Sequence, residues 1–247
     1  MKIIADLHTH TLVSNHAFNT ITEMAAAAKR QGLFAMAVTD HGPSMPDAPH
    51  PWYFYGLGEL PSRMEDVWVL KGVEANVRDR TGTLDFTQAE MAQYQFEWLI
   101  VSIHPFTLQE KLTFDTATEL WLNVAENPYV DMIGHSESRG YAYDYDAVTK
   151  VFAQKNKVVE MNANSAVCRP GSEQNMRALA LACMKNNTKI AVNSDAHSIY
   201  RMADVNSVLP MLEEIHFPQE LIVNATKENL ITELLLHHKK IATIMGG

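Results

Sequence analysis

The stretch Ile3-Ile4-Ala5-Asp6-Leu7-His8-Thr9-His10 decides how the chain is read. Ile3 and Ile4 are β-branched and sit in a short apolar run that ends in polar residues. That is the pattern of a buried strand releasing side chains at its carboxyl end. Residues i and i+2 of a strand point to the same side, so His8 and His10 aim two imidazoles at one place, as a first-row metal requires. His16 follows in the next loop. Alone, a His-x-His pair is explained equally well by two ordinary histidines on a strand edge. The rest of the chain answers which reading holds.

Working outward, further apolar runs end in the same way. Residues 33–38 close in Thr39-Asp40-His41-Gly42, 67–73 at Glu74, 96–103 at His104, and 130–134 at His135. Residues 158–161 lead to Asn162 and Asn164, and 189–192 to Asn193-Ser194-Asp195-Ala196-His197. Helices are predicted between them. One begins near Asn19-Thr20 with Glu23 behind it and stops at Gly32. Others cover 114–127, 144–156, 172–186 with Ser172 as cap, and 227–238 with Thr226 as cap. Strand then helix, repeated about seven times, means parallel βαβ units whose strands are covered on both faces. Units of this number close into an α/β barrel more readily than they stay open. Residues 43–61 hold five prolines and the aromatic set Trp52, Tyr53, Phe54 and Tyr55, and read as a long loop, either walling a pocket or packed as a lid.

Length and composition fit that picture. A chain of 247 residues is barrel-sized and is expected to form one domain, residues 1–247, and 47% hydrophobic residues suffice for a large core. The net charge of −9 repels a phosphate backbone and leaves no basic stripe, so extended nucleic-acid binding is not expected. Cys168 and Cys183 make neither a disulfide framework nor a Cys-x-x-Cys pair. No signal peptide or membrane-length apolar run is evident, and a cytoplasmic location is expected.

In an α/β barrel the carboxyl ends of the strands converge on one rim. Seven of the eleven histidines fall at or just beyond those ends: His8, His10, His16, His41, His104, His135 and His197. Glu74 and Asp195 join them. Seven imidazoles and two carboxylates exceed the three or four ligands of one zinc and fit two or three closely spaced ions. Imidazole suits zinc, iron or manganese, so the donor set does not choose the metal. Such clusters lower the pKa of a bridging water and clamp the oxygens of a phosphoryl centre, which points to a phosphate ester as substrate. Arg169 and Arg201 are candidates to hold its outer oxygens, although Arg201 reads better as a surface arginine.

At these motifs the chain resembles the PHP (polymerase and histidinol phosphatase) family, most closely its YcdX-like stand-alone phosphatases. The match runs through Asp6-Leu7-His8-Thr9-His10, Thr39-Asp40-His41-Gly42, Gly72-Val73-Glu74, Ser102-Ile103-His104, Ile133-Gly134-His135 and Ser194-Asp195-Ala196-His197. The resemblance implies a distorted, TIM-like (β/α)7 barrel with a trinuclear site, most often of zinc, with manganese or iron as alternatives. It implies a first metal on His8, His10, Glu74 and Asp195, a second on His16, His41 and His197, and a third on Glu74, His104 and His135. Glu74 would be the bridge and Asp40 a residue that orients a histidine. Glu74, Asp195 and Arg169 are the expected catalytic residues of a metal-dependent phosphatase acting on small phosphate monoesters. A homo-oligomer is expected by the same analogy. Three other readings compete: a nuclease acting on nucleotides or nucleic-acid ends, an amidohydrolase, and a non-catalytic metal-binding accessory protein. The amidohydrolase reading lacks its bridging lysine, and the intact ligand set speaks against lost catalysis.

Overall fold

The computed structural model describes residues 1–246. The chain begins with β1 (Ala5–Thr9), α1 (Ile21–Arg30), β2 (Ala35–Val38) and α2 (Trp52–Gly56). There follow β3 (Arg63–Met64), β4 (Val67–Asn76), α3 (Gln88–Tyr94), β5 (Trp98–Ser102), α4 (Phe114–Ala125) and β6 (Met132–Ile133). The last part holds α5 (Tyr145–Gln154), β7 (Val158–Asn162), α6 (Ser165–Cys168), α7 (Glu173–Asn186), β8 (Ile190–Asn193), α8 (Leu209–Glu214), α9 (Lys227–Leu236) and α10 (Ile241–Met245).

Seven strands pair in parallel in the order β1-β2-β4-β5-β6-β7-β8, and β3 is a short antiparallel addition to β4. The expected seven-stranded barrel is therefore present, and its distortion lies at the seam between β8 and β1. There, side chains stand in for much of the missing ladder. The Leu7 N–H donates to Asn193 Oδ1 at 2.9 Å and the Ser194 N–H to Asp6 Oδ1 at 3.1 Å. Below them Asn224 donates to the carbonyls of Ala5 (2.8 Å) and Val192 (2.7 Å). Above them the His10 N–H reaches Ala196 O at 2.9 Å.

Two apolar layers flank the sheet. The inner one is built of small residues (Ala5, Ala35, Ala37, Ala191) around Leu7, Leu70, Trp98, Ile100 and Met132, with α9 and α10 joining through Leu230, Leu234, Ile241 and Met245. The outer one packs Leu99, Val101, Ile133, Val159 and Val192 against α4, α5, α7 and α8. Ala5 and Leu7 belong to the inner layer, yet His8 and His10 also face inward. The β1–β2 register slips between Asp6 and Thr9, which permits this change of parity.

The predicted helices are present, with small differences. Thr20 and Glu23 form a capping box on α1, and Thr226 accepts from the Asn229 N–H. Ser172 does not cap α7. Its backbone is already helical, and its hydroxyl donates to Arg169 O at 2.7 Å instead. Residues 43–61 are less irregular than their prolines suggest, because α2 and a 3-10 turn (Leu57–Glu59) form there. Phe54 and Leu57 join the outer core beside Phe86 and Phe96. Burial of this apolar pair fastens the segment as a packed cover, while Trp52 and Tyr55 stay exposed.

Candidate metal centre

Glu74 lies in the inward row of β4, two residues before Asn76 ends the strand, and is buried to 1% exposure. Its two oxygens serve different partners. Oε2 faces His41 Nε2 (3.2 Å), His8 Nε2 (3.4 Å) and His10 Nε2 (3.5 Å). Oε1 faces His135 Nε2 (3.0 Å) and His104 Nε2 (3.6 Å). Asp195 Oδ1 lies 3.3 Å from His10 Nε2 and 3.7 Å from His8 Nε2, and those two nitrogens approach within 3.1 Å. Four donors at about 2.1 Å from one tetrahedral zinc stand about 3.4 Å apart. His8, His10 and Glu74 meet that spacing, and Asp195 Oδ1 stands within 3.7 Å of the Nε2 atoms of both His8 and His10.

The imidazoles are held in one orientation. Nδ1 of His8 donates to Glu160 (2.7 Å), that of His16 to Asp47 (2.7 Å), and that of His41 to Asp47 (3.0 Å). Nδ1 of His104 donates to Asn76 Oδ1 (2.8 Å) and that of His197 to the Asp195 carbonyl (3.0 Å). With the proton fixed on Nδ1, each ring presents its Nε2 lone pair, the state a metal ligand needs. Two buried ring nitrogens, His10 Nδ1 and His197 Nε2, have no hydrogen-bond partner among the described residues. His197 Nε2, unpartnered beside His10 and His41, fits a cation as its missing partner.

The surrounding carboxylates also draw positive charge into the cluster. Burial works against a proton on His41, but Asp47 and Glu74 outweigh it and lift its pKa to about 10. The same contest, won by Glu160, Glu74 and Asp195, raises His8. Burial dominates at His104, where the pKa falls to about 3. Burial would raise Glu74, yet His8, His104 and the other rings hold it well below the carboxylate range. The site therefore keeps its carboxylates charged and demands positive charge between them.

All nine expected ligands meet at this rim, with some difference in grouping. His10, His41 and His197 bring ligand atoms together, as do His16, His41 and Asp47, and His41, Glu74 and His104. His16 is the outermost member, with its side chain 54% exposed. Two members sit in strained backbone: His135 at φ 27° and Asp195 at φ 53°. Gly134, just before His135, has no room for a side chain, since a Cβ would collide with Ser102 Oγ. Asp40 does not orient a histidine. Its carboxylate accepts from Thr11 N–H (2.7 Å), Ser14 Oγ (2.8 Å) and Tyr53 OH (2.5 Å), and so fixes the β1 loop instead.

Three contributors escape the strand-end reading. Glu160 lies inside β7, orients His8, and accepts the His135 N–H (2.9 Å). A lone carboxylate in an apolar strand was its signal. Asn76, two residues beyond Glu74, carried a weaker one. Asp47 lies in the proline-rich segment, where spacing carries no information. Of the two arginines, Arg169 reaches toward the cluster, with Nη1 3.8 Å from Asp195 Oδ2 and 3.2 Å from Ser165 Oγ. Arg201 pairs with Asp204 at 2.7 Å. A cavity of about 430 Å³ opens over the centre, walled by Met45, Pro46, Phe106, Asn164, Cys168 and Arg169.

Fold and site define a class: an α/β barrel whose strand ends form a histidine and carboxylate centre able to hold metal. The chain belongs to the PHP family, whose domain model matches residues 6–164. It is 37% identical over 228 residues to a "Probable phosphatase" of Acetivibrio thermocellus, spanning 92% of this chain and 93% of that one. It is 36% identical over 241 residues to a "Probable phosphatase" of Clostridium botulinum, spanning 98% of each. Its fold is shared with a histidinol phosphate phosphatase of Lactococcus lactis, solved with zinc, L-histidinol and phosphate. That match has a TM-score of 0.63 at 16% identity and covers 88% of this chain and 95% of that one. Among the described residues no helix is long and apolar enough to cross a membrane.

Proposed function

We propose that the protein is a metal-dependent phosphatase that hydrolyses small phosphate monoesters, built as one unit over residues 1–247. The observation that carries the reading is the division of Glu74: one carboxylate oxygen faces His8, His10 and His41, and the other faces His104 and His135. A carboxylate so placed would join neighbouring ions, and relatives named "Probable phosphatase" along nearly the whole chain support the same class.

His8, His10, Glu74 and Asp195 would hold one ion, His16, His41 and His197 a second, and Glu74, His104 and His135 a third. Zinc suits this set, and manganese or iron would be accepted. When bound, the ions supply an acidified water and positive charge for the phosphoryl oxygens. The chain's own groups do the rest. Arg169 offers its guanidinium to an outer phosphate oxygen from the cavity wall, and Ser165 fixes its direction. Met45, Pro46 and Phe106 limit water on the side where the alcohol lies. The cavity admits a small ester, which agrees with the acidic chain's poor fit to a long polyanion.

Elemental analysis and p-nitrophenyl phosphate hydrolysis on one preparation test the reading. Nine donors divided among sites of three or four predict about three ions per chain. Turnover should accompany them and be lost in Glu74→Ala. Folded, metal-loaded protein without turnover would overturn the phosphatase reading, and at most one ion per chain after reconstitution would overturn the trinuclear one.

A further inference from the structure

Phe106 is a large apolar side chain that stays 68% exposed. Loop mobility does not explain it, because the turn beneath it is fastened. The Thr107 and Leu108 N–H groups both donate to His104 O (3.1 Å), and Thr107 Oγ1 donates to Val77 O (3.1 Å). The ring stands between two adjoining clefts. One is the cavity over the metal centre, and the other, of about 300 Å³, is lined by Ser44, Arg78 and Glu110.

The second cleft carries a preset cation. Arg78 Nη1 donates to Ser44 Oγ at 2.6 Å, and Arg78 pairs with no carboxylate among the described residues. Its backbone N–H is tied to Thr83 O at 2.8 Å. Ser44 is fixed in turn, its N–H donating to Asp85 Oδ2 at 3.1 Å, and the next residue, Met45, already lines the metal cavity. Glu110 is the one acid at this cleft wall, and Arg80 lies 3.8 Å from it. An arginine fork beside a hydroxyl, on a chain of net charge −9, is a recognition element for an anion.

We infer that the substrate is a phosphate monoester whose alcohol carries a flat apolar body and, beyond it, a second anionic group. This rests on the phosphatase reading above. The phosphate enters the metal centre beside Arg169, the body lies against Phe106, Met45 and Pro46, and the distal anion is taken by Arg78 and Ser44. Two anion sites on either side of one apolar wall select by the separation of charges, not by net charge alone.

Two non-hydrolysable probes read the distal site directly: phenylphosphonate and 4-phosphonobenzoate, which differ by one carboxylate. Calorimetric titration of the metal-loaded protein should give about tenfold tighter binding of the carboxylated probe, as one charge-assisted contact provides. That preference should vanish in Arg78→Ala and return in part in Arg78→Lys. Equal affinities in the wild type, a preference that survives Arg78→Ala, or no binding of either probe would overturn the inference. Phenyl phosphate hydrolysis on the same preparation separates the two readings. Turnover without the preference overturns the distal site alone, and the preference without turnover overturns the phosphatase reading, and with it the substrate assignment, while leaving the distal anion site in place.

Discussion

Glu160 Oε1 lies 2.7 Å from His8 Nδ1 in a fully buried pair. The contact fixes the ring so that Nε2 faces Glu74 and Asp195. A carboxylate behind a ligating histidine raises its basicity and sets its tautomer, and losing such a partner costs about 10–100-fold in metal affinity. Glu160→Gln should show that loss in a chelator competition, while the amide keeps the shape of the site. Unchanged affinity would mean that the pair serves packing alone.

Glu74→Gln should be more severe, because one residue faces five imidazoles. Loss of the joining charge removes several kcal/mol of stabilisation, about 10³-fold in kcat/KM. Metal content should fall by about one ion or more per chain. Full metal content with full activity would contradict the bridging role.

Asp47 ties residues 43–61 to the metal centre through Nδ1 of both His16 and His41. Asp47→Asn should weaken the outer ion by about 10–100-fold and leave the ion held by His8 and His10 in place. Stepwise metal titration distinguishes the two. Uniform loss of all ions would instead mean that the segment supports the whole site.

Gly134→Ala should destabilise the fold. A Cβ there would collide with Ser102 Oγ and come within 2.9 Å of the Ile100 methyl, both on β5. Overpacking of this kind costs about 2 kcal/mol, a fall of about 4–8 °C in Tm for a chain of this size. A thermal melt unchanged within error would show that β5 and β6 can part without cost.

His237 lies outside the candidate metal centre, between Asp131 (2.9 Å from Nδ1) and Glu233 (3.1 Å from Nε2), with Lys239 on the other Asp131 oxygen at 2.7 Å. Burial disfavours its charge, but the two carboxylates prevail and raise its pKa. A raised folded-state pKa stabilises fully below the unfolded value, about 6.5, and that contribution is lost as pH rises through the folded value. Wild type should therefore exceed His237→Gln in Tm most at about pH 6, with the gap closing at higher pH. A gap independent of pH would assign the stabilisation to packing.

The sequence by itself determined the seven parallel strands, most of the helices, and the nine candidate donors that gather at one rim. These are local signals: apolar runs of strand length, capping residues, and histidines just past each run. Tertiary structure alone decided how the donors share Glu74, because that depends on the β1 register slip and on strained backbone at His135 and Asp195. It also decided that Asp47 and Glu160, not Asp40, hold the histidines. Asp40 follows a strand end as the pattern asks, but its carboxylate is taken up by Thr11, Ser14 and Tyr53. Contacts such as His8 to Glu160 join residues 152 positions apart, and no periodicity in a linear chain records which side chains meet once a barrel closes.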